Sequence, residues 1–459
     1  MPLHTDITLD FNNMLAERIG AQGIELREIE EMIPTLNQTT RGLADLRKLG
    51  QLPFQDLPYQ EESLETILSK AGEIRSRFEA VLLIGTGGSS LGASCLQDSL
   101  ADSRREFRLE ICEDLHPLTW DRLARTLPPD KTFLIVVSKS GKTVETLASF
   151  LFFREWLLRH VGEMRYRRSV LFITDPRQGP LRQIAEREKI ETLPVPPGVG
   201  GRFSVLSTVG LLPAACVGVE VGALLQGARR MDERLKREEV WVNPAMMSAA
   251  LHYLIERKKG RRIRVIMPYD SRLRGYVSWF AQLWSESLGK KLNLKGEEVR
   301  CGITPVRAEG SIDQHSQLQL YLEGPRDKSV TFIACERAGA SLRVPESYPE
   351  HPELAELGGK AVDELLRVER LATEAALTDA GCPNLTLLMK EINPHTIGQL
   401  LYLSEVETVL TGALYDIHPF DQPGVEKIKN YIKGLLGAKG YDSYRSLLQN
   451  RKKDPRFMI

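Results

Sequence analysis

Three clusters of glycine and hydroxyl residues, each behind an apolar run, are where this chain could hold a negatively charged ligand. The first is Gly85-Thr86-Gly87-Gly88-Ser89-Ser90-Leu91-Gly92. Small residues here let backbone N–H groups approach a phosphate at a helix N-terminus. Other chemistries share the pattern. A dinucleotide fingerprint fails, because GxGxxG needs glycine where Ser90 stands. Gly88-Ser89-Ser90-Leu91-Gly92 does satisfy GxSxG, the nucleophile elbow of serine hydrolases, and histidines follow downstream. A plain strand-to-helix turn is the remaining reading, and this cluster alone does not choose among them.

The second cluster is Ser138-Lys139-Ser140-Gly141-Lys142-Thr143. It ends like a Walker A loop, but GxxxxGK[ST] needs its first glycine where Val136 lies, so a nucleotide loop is not expected. Hydroxyls and N–H groups at a helix start still suit a phosphate monoester. Two such loops favour sugar-phosphate binding over a hydrolase, which has no use for the second. The third cluster, Gly198-Val199-Gly200-Gly201-Arg202-Phe203-Ser204, brings a permanent cation close to whatever binds there. A structural salt bridge through Arg202 explains it equally well.

Other chemistries find little support. The 61 basic and 61 acidic residues cancel, so no global field favours nucleic acid or an anionic membrane. The run Arg257-Lys258-Lys259-Gly260-Arg261-Arg262 reads as a solvated turn. The six cysteines form no CxxC, which argues for a reducing compartment and against a disulfide frame or zinc site. His116, His252, His351, His395 and His418 have no metal-ligand spacing, so neither metal nor organic cofactor is expected. Met1 to Asn12 lacks the basic and apolar segments of a signal peptide, and no apolar stretch is long enough to span a bilayer. The expectation is a cytoplasmic protein.

The elements that must position these clusters alternate between apolar runs and helix-period segments, the pattern of parallel α/β sheets. The expected strands are Ala80–Ile84, Phe107–Ile111, Phe133–Val137, Val170–Ile173, Ile263–Met267 and Val330–Ala334, with Thr143–His160 as a crossover helix. Near-continuous apolar strands suit sheets covered on both faces. At 459 residues the chain exceeds one ordinary domain. The charged stretch Met231–Val240 marks a joint between two α/β sandwiches. The expected division is a helical arm over 1–45, α/β domains over 46–230 and 231–425, and a helical tail over 426–459.

Three further stretches complete a set. Trp284-Ser285-Glu286-Ser287-Leu288-Gly289-Lys290 is followed by Asp313-Gln314-His315-Ser316-Gln317, which runs on to Glu323-Gly324-Pro325-Arg326-Asp327-Lys328. The last is Pro419-Phe420-Asp421-Gln422-Pro423-Gly424-Val425-Glu426-Lys427-Ile428-Lys429. In this order, from about residue 80 to about residue 435, the motifs resemble the phosphoglucose isomerase family, whose members pair two αβα sugar-isomerase (SIS) domains. Taken singly, Glu286 and Lys429 read as surface charges and His315 as a structural histidine. The resemblance gives them roles.

It implies interconversion of glucose 6-phosphate and fructose 6-phosphate. Ser89, Ser138, Lys139, Ser140 and Thr143 would hold the phosphate, and Gln422 would lie near the sugar. Glu286 would carry a proton between C2 and C1, Arg202 would stabilise the enediolate, and His315 with Lys429 would assist ring opening. It also implies a homodimer in which His315 reaches the neighbouring subunit's site. Thr86, Ser140, Gly141-Lys142 and Pro423 depart from the family's usual residues, and Lys142 adds a second cation near the expected phosphate. The chemistry suits these residue types. One carboxylate can serve both carbons of a flat enediol, and it is a stronger base when partly desolvated. A fixed cation on the oxyanion contributes about 3–4 kcal/mol in comparable sites. An imidazole titrating near ~6.5 can give or take the ring-opening proton.

Overall fold

The strands Ala80–Ile84 (β2), Arg108–Cys112 (β3), Thr132–Ser138 (β4), Val170–Thr174 (β5) and Glu191–Pro194 (β6) form one wholly parallel sheet in the order β3-β2-β4-β5-β6. Residues of β2, β4 and β5 are all buried, as expected when helices cover both faces. The computed structural model describes residues 6–102, 106–449, 451 and 453–459.

A second sheet follows the order β1-β12-β11-β7-β10, built from Ile7–Asp10 (β1), Ile263–Pro268 (β7), Thr304–Arg307 (β10), Lys328–Arg337 (β11) and Asn384–Glu391 (β12). Only β1 runs antiparallel to its neighbour. Between the two sheets lies the largest apolar cluster, which joins Val81 and Leu83 of β2 to the Pro394–Leu414 and Arg274–Leu288 helices. A small hairpin, Lys290–Leu292 (β8) with Glu298–Cys301 (β9), stands apart from both sheets. The chain is thus two parallel-sheet α/β units, as its alternation predicts.

Two ends differ from expectation. The helical arm expected over 1–45 begins instead with β1, whose Ile7–Asp10 pairs with Met389–Thr386 and closes the edge of the second sheet. Only Ile7 of its four residues is fully buried, so the run carries too weak a period to read in isolation. The helix behind it, Leu26–Lys48, starts on a Glu25/Glu28 capping box. The expected single tail helix is two, Pro423–Leu435 and Asp442–Gln449, packed through Tyr431 and Tyr444 at 5.3 Å. Pro423 sits at the first helical position, where its missing N–H costs nothing, so this helix begins before the expected boundary at 425.

Candidate active site

All three glycine clusters follow carboxyl ends of the first sheet, where open α/β sheets hold ligands. Behind β2, residues Gly87–Ser89 make a short turn into the Leu91–Leu100 helix. A Cβ on Gly88 would come within 2.2 Å of the Gly201 carbonyl carbon, so the first and third loops touch where only glycine fits. Ser89 is half-buried beside this contact. Ser90 is fully buried and donates 2.8 Å to Glu113 Oε2 and 3.2 Å to Gly87 O. No described histidine hydrogen-bonds it, so the GxSxG serine lacks the histidine base of a hydrolase triad. Ser90→Ala is therefore expected to keep activity within about threefold and cost about 1 kcal/mol of stability, checked by turnover and melting temperature. Abolished turnover in a folded variant would return the hydrolase reading.

Behind β4, Gly141 takes φ +61°, and this turn lets its N–H donate 3.1 Å to the buried Ser138 Oγ. Ser138 Oγ also lies 3.2 Å from Thr143 Oγ1, and Ser140 Oγ accepts from Lys142 N at 3.2 Å. Thr143 is the N-cap of the Val144–Arg167 helix. Lys139 Nζ donates 2.8 Å to Val199 O, tying the second loop to the third. Three of the four hydroxyls expected to hold a phosphate, those of Ser138, Ser140 and Thr143, thus lie in one loop at a helix start. Lys142 is exposed at its edge.

Arg202 is the centre of the third loop and only 3% exposed. Its Nε donates to Ser287 Oγ at 2.8 Å, Nη1 to Glu286 Oε2 at 3.2 Å and Gln422 Oε1 at 3.0 Å, and Nη2 to Pro419 O at 2.6 Å and Asp421 O at 3.2 Å. Burial draws the guanidinium below its ordinary pKa, and the Glu286 carboxylate opposes that. Glu286 and Ser287 end the Arg274–Leu288 helix, whose apolar face is locked by Gly275, where a Cβ would meet Cys95 Cα at 2.8 Å. The Glu286 side chain is 34% exposed, open on one side and paired to Arg202 on the other.

Sequence reasoning gave no role to several residues of this cluster. Gln282 Nε2 donates 3.1 Å to Glu286 Oε1 and faces Gly87 of the first loop. Its spacing of four from Glu286 on one helix was the available signal. Lys290 is buried and donates to Glu286 O at 2.8 Å and Asp421 O at 2.5 Å. It lies within the motif that carries Glu286, yet nothing local marks it as turned inward.

Two expected residues lie apart. His315 is exposed in the Ile312–His315 turn behind β10, and among the described residues no hydrogen bond joins it to Arg202, Glu286 or the phosphate loops. Lys429 is half-exposed on the Pro423–Leu435 helix and donates 2.6 Å to Glu426 Oε1. Within one chain, then, contacts between the loops link the stretches that carry Ser89, Ser138, Lys139, Ser140 and Thr143 to Arg202, Glu286 and Gln422, whereas among the described residues His315 and Lys429 make no hydrogen bond to that cluster. Among the described residues no group of three or more His, Cys, Asp or Glu could hold a metal ion, and no helix is long and apolar enough to cross a membrane.

A family model described as phosphoglucose isomerase matches residues 62–442. A glucose-6-phosphate isomerase of Carboxydothermus hydrogenoformans is 40% identical, with 99% of each chain covered. One from Rubrobacter xylanophilus is also 40% identical over 95% of this chain and 99% of its own. Among solved structures, a hypothetical protein of Thermus thermophilus superposes with TM-score 0.85 at 36% identity, covering 94% of this chain and 99% of that one. A glucose-6-phosphate isomerase of Chlamydia trachomatis shares the fold at TM-score 0.75 and 22% identity, over 85% of this chain and 76% of that one. With a family match over most of the chain and relatives aligned almost end to end, this protein belongs to the phosphoglucose isomerase family, and its two α/β units are an isomerase fold.

Proposed function

We propose that this chain isomerises glucose 6-phosphate and fructose 6-phosphate by ring opening followed by proton transfer through an enediolate, serving glycolysis and gluconeogenesis in the cytoplasm. The observation that carries the reading is the pairing of buried Arg202 with Glu286 and Gln422, beside two phosphate-type loops. A sugar-phosphate sensor would need the loops but has no use for a base held against a fixed cation. The phosphate, held by Ser89, Ser138, Lys139, Ser140 and Thr143, does no chemistry. It orients the reacting end. His315 and Lys429 open the ring. The Glu286 carboxylate then takes the C2 proton as electrons move to make the C1–C2 enediolate. It returns that proton to C1 as O2 gives up its proton and O1 gains one, leaving a C1 hydroxyl and a C2 carbonyl. Arg202 keeps its own protons and balances charge on the oxygen. A coupled assay converting fructose 6-phosphate to glucose 6-phosphate tests the activity, and no turnover by folded protein would refute it.

The exposed position of His315, away from Glu286 of its own chain, supports a homodimer in which each site borrows His315 from the neighbour. Mixing inactive His315→Ala and Glu286→Gln protomers, with dimers allowed to re-form, should restore about a quarter of wild-type activity, because half the dimers are mixed and each has one intact site. Demonstrated subunit exchange with no recovery would rule out the shared site.

A further inference from the structure

The turn Pro419–Gln422 gives Arg202 three acceptors, Pro419 O, Asp421 O and Gln422 Oε1, yet it belongs to neither helix nor strand apart from the helix N-cap at Gln422. Phe420 anchors one side of it against Phe203 at 5.3 Å. The other side is held by Lys290, whose side chain is 6% exposed. Its Nζ donates to Asp421 O at 2.5 Å and Glu286 O at 2.8 Å, and lies 3.2 Å from Asp421 Oδ1. An ammonium has three donors, and three oxygens surround this one. Lysine is seldom buried, because its long stem can carry the charge to water. Burial draws this ammonium below its ordinary pKa, with Asp421 opposing. Glu286 O is a carbonyl of the last helical turn with no partner in its own helix. Lys290 therefore joins the end of the base-bearing helix to the turn that orients Arg202.

We propose that Lys290 is a positioning residue of the isomerisation: it clamps the Pro419–Gln422 turn onto the end of the Arg274–Leu288 helix and so sets how Arg202 and Gln422 meet Glu286. This rests on the reading of Glu286 as the base. The clamp also has an electrostatic signature. The charged groups around Glu286 are Arg202 from the third loop, Lys290 beyond its own helix, and Asp421, with His418 Nδ1 3.8 Å from Asp421 Oδ1. Gln282 beside it is neutral, and Lys139 is turned to Val199 O. Removing a cation beside a carboxylate lets it protonate more readily, and removing an anion does the reverse.

The test uses the full-length enzyme with Lys290→Met, Lys290→Arg and the surface change Asp421→Asn. Lys290→Met is expected to lower kcat at least about tenfold with KM for fructose 6-phosphate within about threefold, since the phosphate loops are untouched. The acid limb of kcat/KM should move up by about half a pH unit in Lys290→Met and down in Asp421→Asn. Lys290→Arg should restore the limb and part of kcat. Merely structural damage would not shift the two limbs in opposite directions. If Lys290→Met fails to fold, Asp421→Asn decides alone, because the Asp421 side chain is half-exposed and Lys290 keeps its two carbonyl acceptors: a lower acid limb supports the proposal and an unmoved one overturns it. Wild-type kcat and acid limb in Lys290→Met also overturn it. Glu286→Gln, measured alongside for hydrogen exchange at C2, separates the two readings. If that exchange stays normal the base assignment fails, and if it is lost while Lys290→Met behaves as wild type only the clamp fails.

Discussion

Glu286→Gln is expected to lower isomerisation of fructose 6-phosphate by about a thousandfold while leaving sugar-phosphate binding near normal. The amide keeps the shape of the side chain, and its one oxygen can still accept from Arg202 Nη1, while its NH2 takes the place of the oxygen that accepted from Gln282 Nε2; it cannot take a proton from carbon. Arg202 Nη1 still has Gln422 Oε1 at 3.0 Å, so the buried cation keeps a partner. The melting temperature should therefore change by no more than a few degrees. Ser89, Ser138, Ser140 and Thr143 are untouched, so an open-chain phosphate such as 6-phosphogluconate should bind within about threefold of wild type. His315 and Lys429 also remain, and the variant should still interconvert the anomers of cyclic substrate faster than solution does. Exchange of the C2 hydrogen with solvent, followed by NMR, isolates the step. Normal exchange in Glu286→Gln would mean that another group is the base.

Arg202→Met should damage both catalysis and stability. Methionine fills much of the volume but leaves Ser287 Oγ, Pro419 O, Asp421 O and Gln422 Oε1 without the donor they share. Breaking so buried a hub is expected to cost about 3–5 kcal/mol, seen as a lower urea midpoint with unchanged slope. Loss of the fixed cation beside the enediolate should lower kcat a further about 100- to 1,000-fold. Arg202→Lys separates the contributions. A lysine restores charge but not the flat fork that reaches Ser287, Gln422 and Pro419 together, so stability should stay low while kcat recovers in part. An Arg202→Met enzyme that unfolds at the wild-type midpoint, or turns over within tenfold of wild type, would remove Arg202 from the centre of the site.

Local sequence was enough wherever one element determines its own structure. The runs Ala80–Ile84, Phe133–Val137, Val170–Ile173, Ile263–Met267 and Val330–Ala334 are strands because apolar, β-favouring residues buried on both faces have no better arrangement. Glycine and serine directly behind them must turn the chain at the sheet's carboxyl edge, so the loops could be located too. The ordered set of motifs then identified the family. β1, β6 and β10 were not legible, since each is a four-residue edge strand with at most one fully buried residue, and β1 and β10 take their hydrogen bonds from strands distant in sequence. Distance in the chain hid the site's wiring in the same way. Arg202 meets Glu286 across 84 residues and Gln422 across 220, contacts that no local period encodes. Ser89 and Ser90 are alike as letters, but packing left Ser89 beside the inter-loop contact and buried Ser90 against Glu113. Lys290 reads as one more surface cation until the fold brings Asp421 to it. Whether a charged side chain is solvated or structural depends on which partners the tertiary fold supplies when water is excluded, and that is decided only when the whole chain closes.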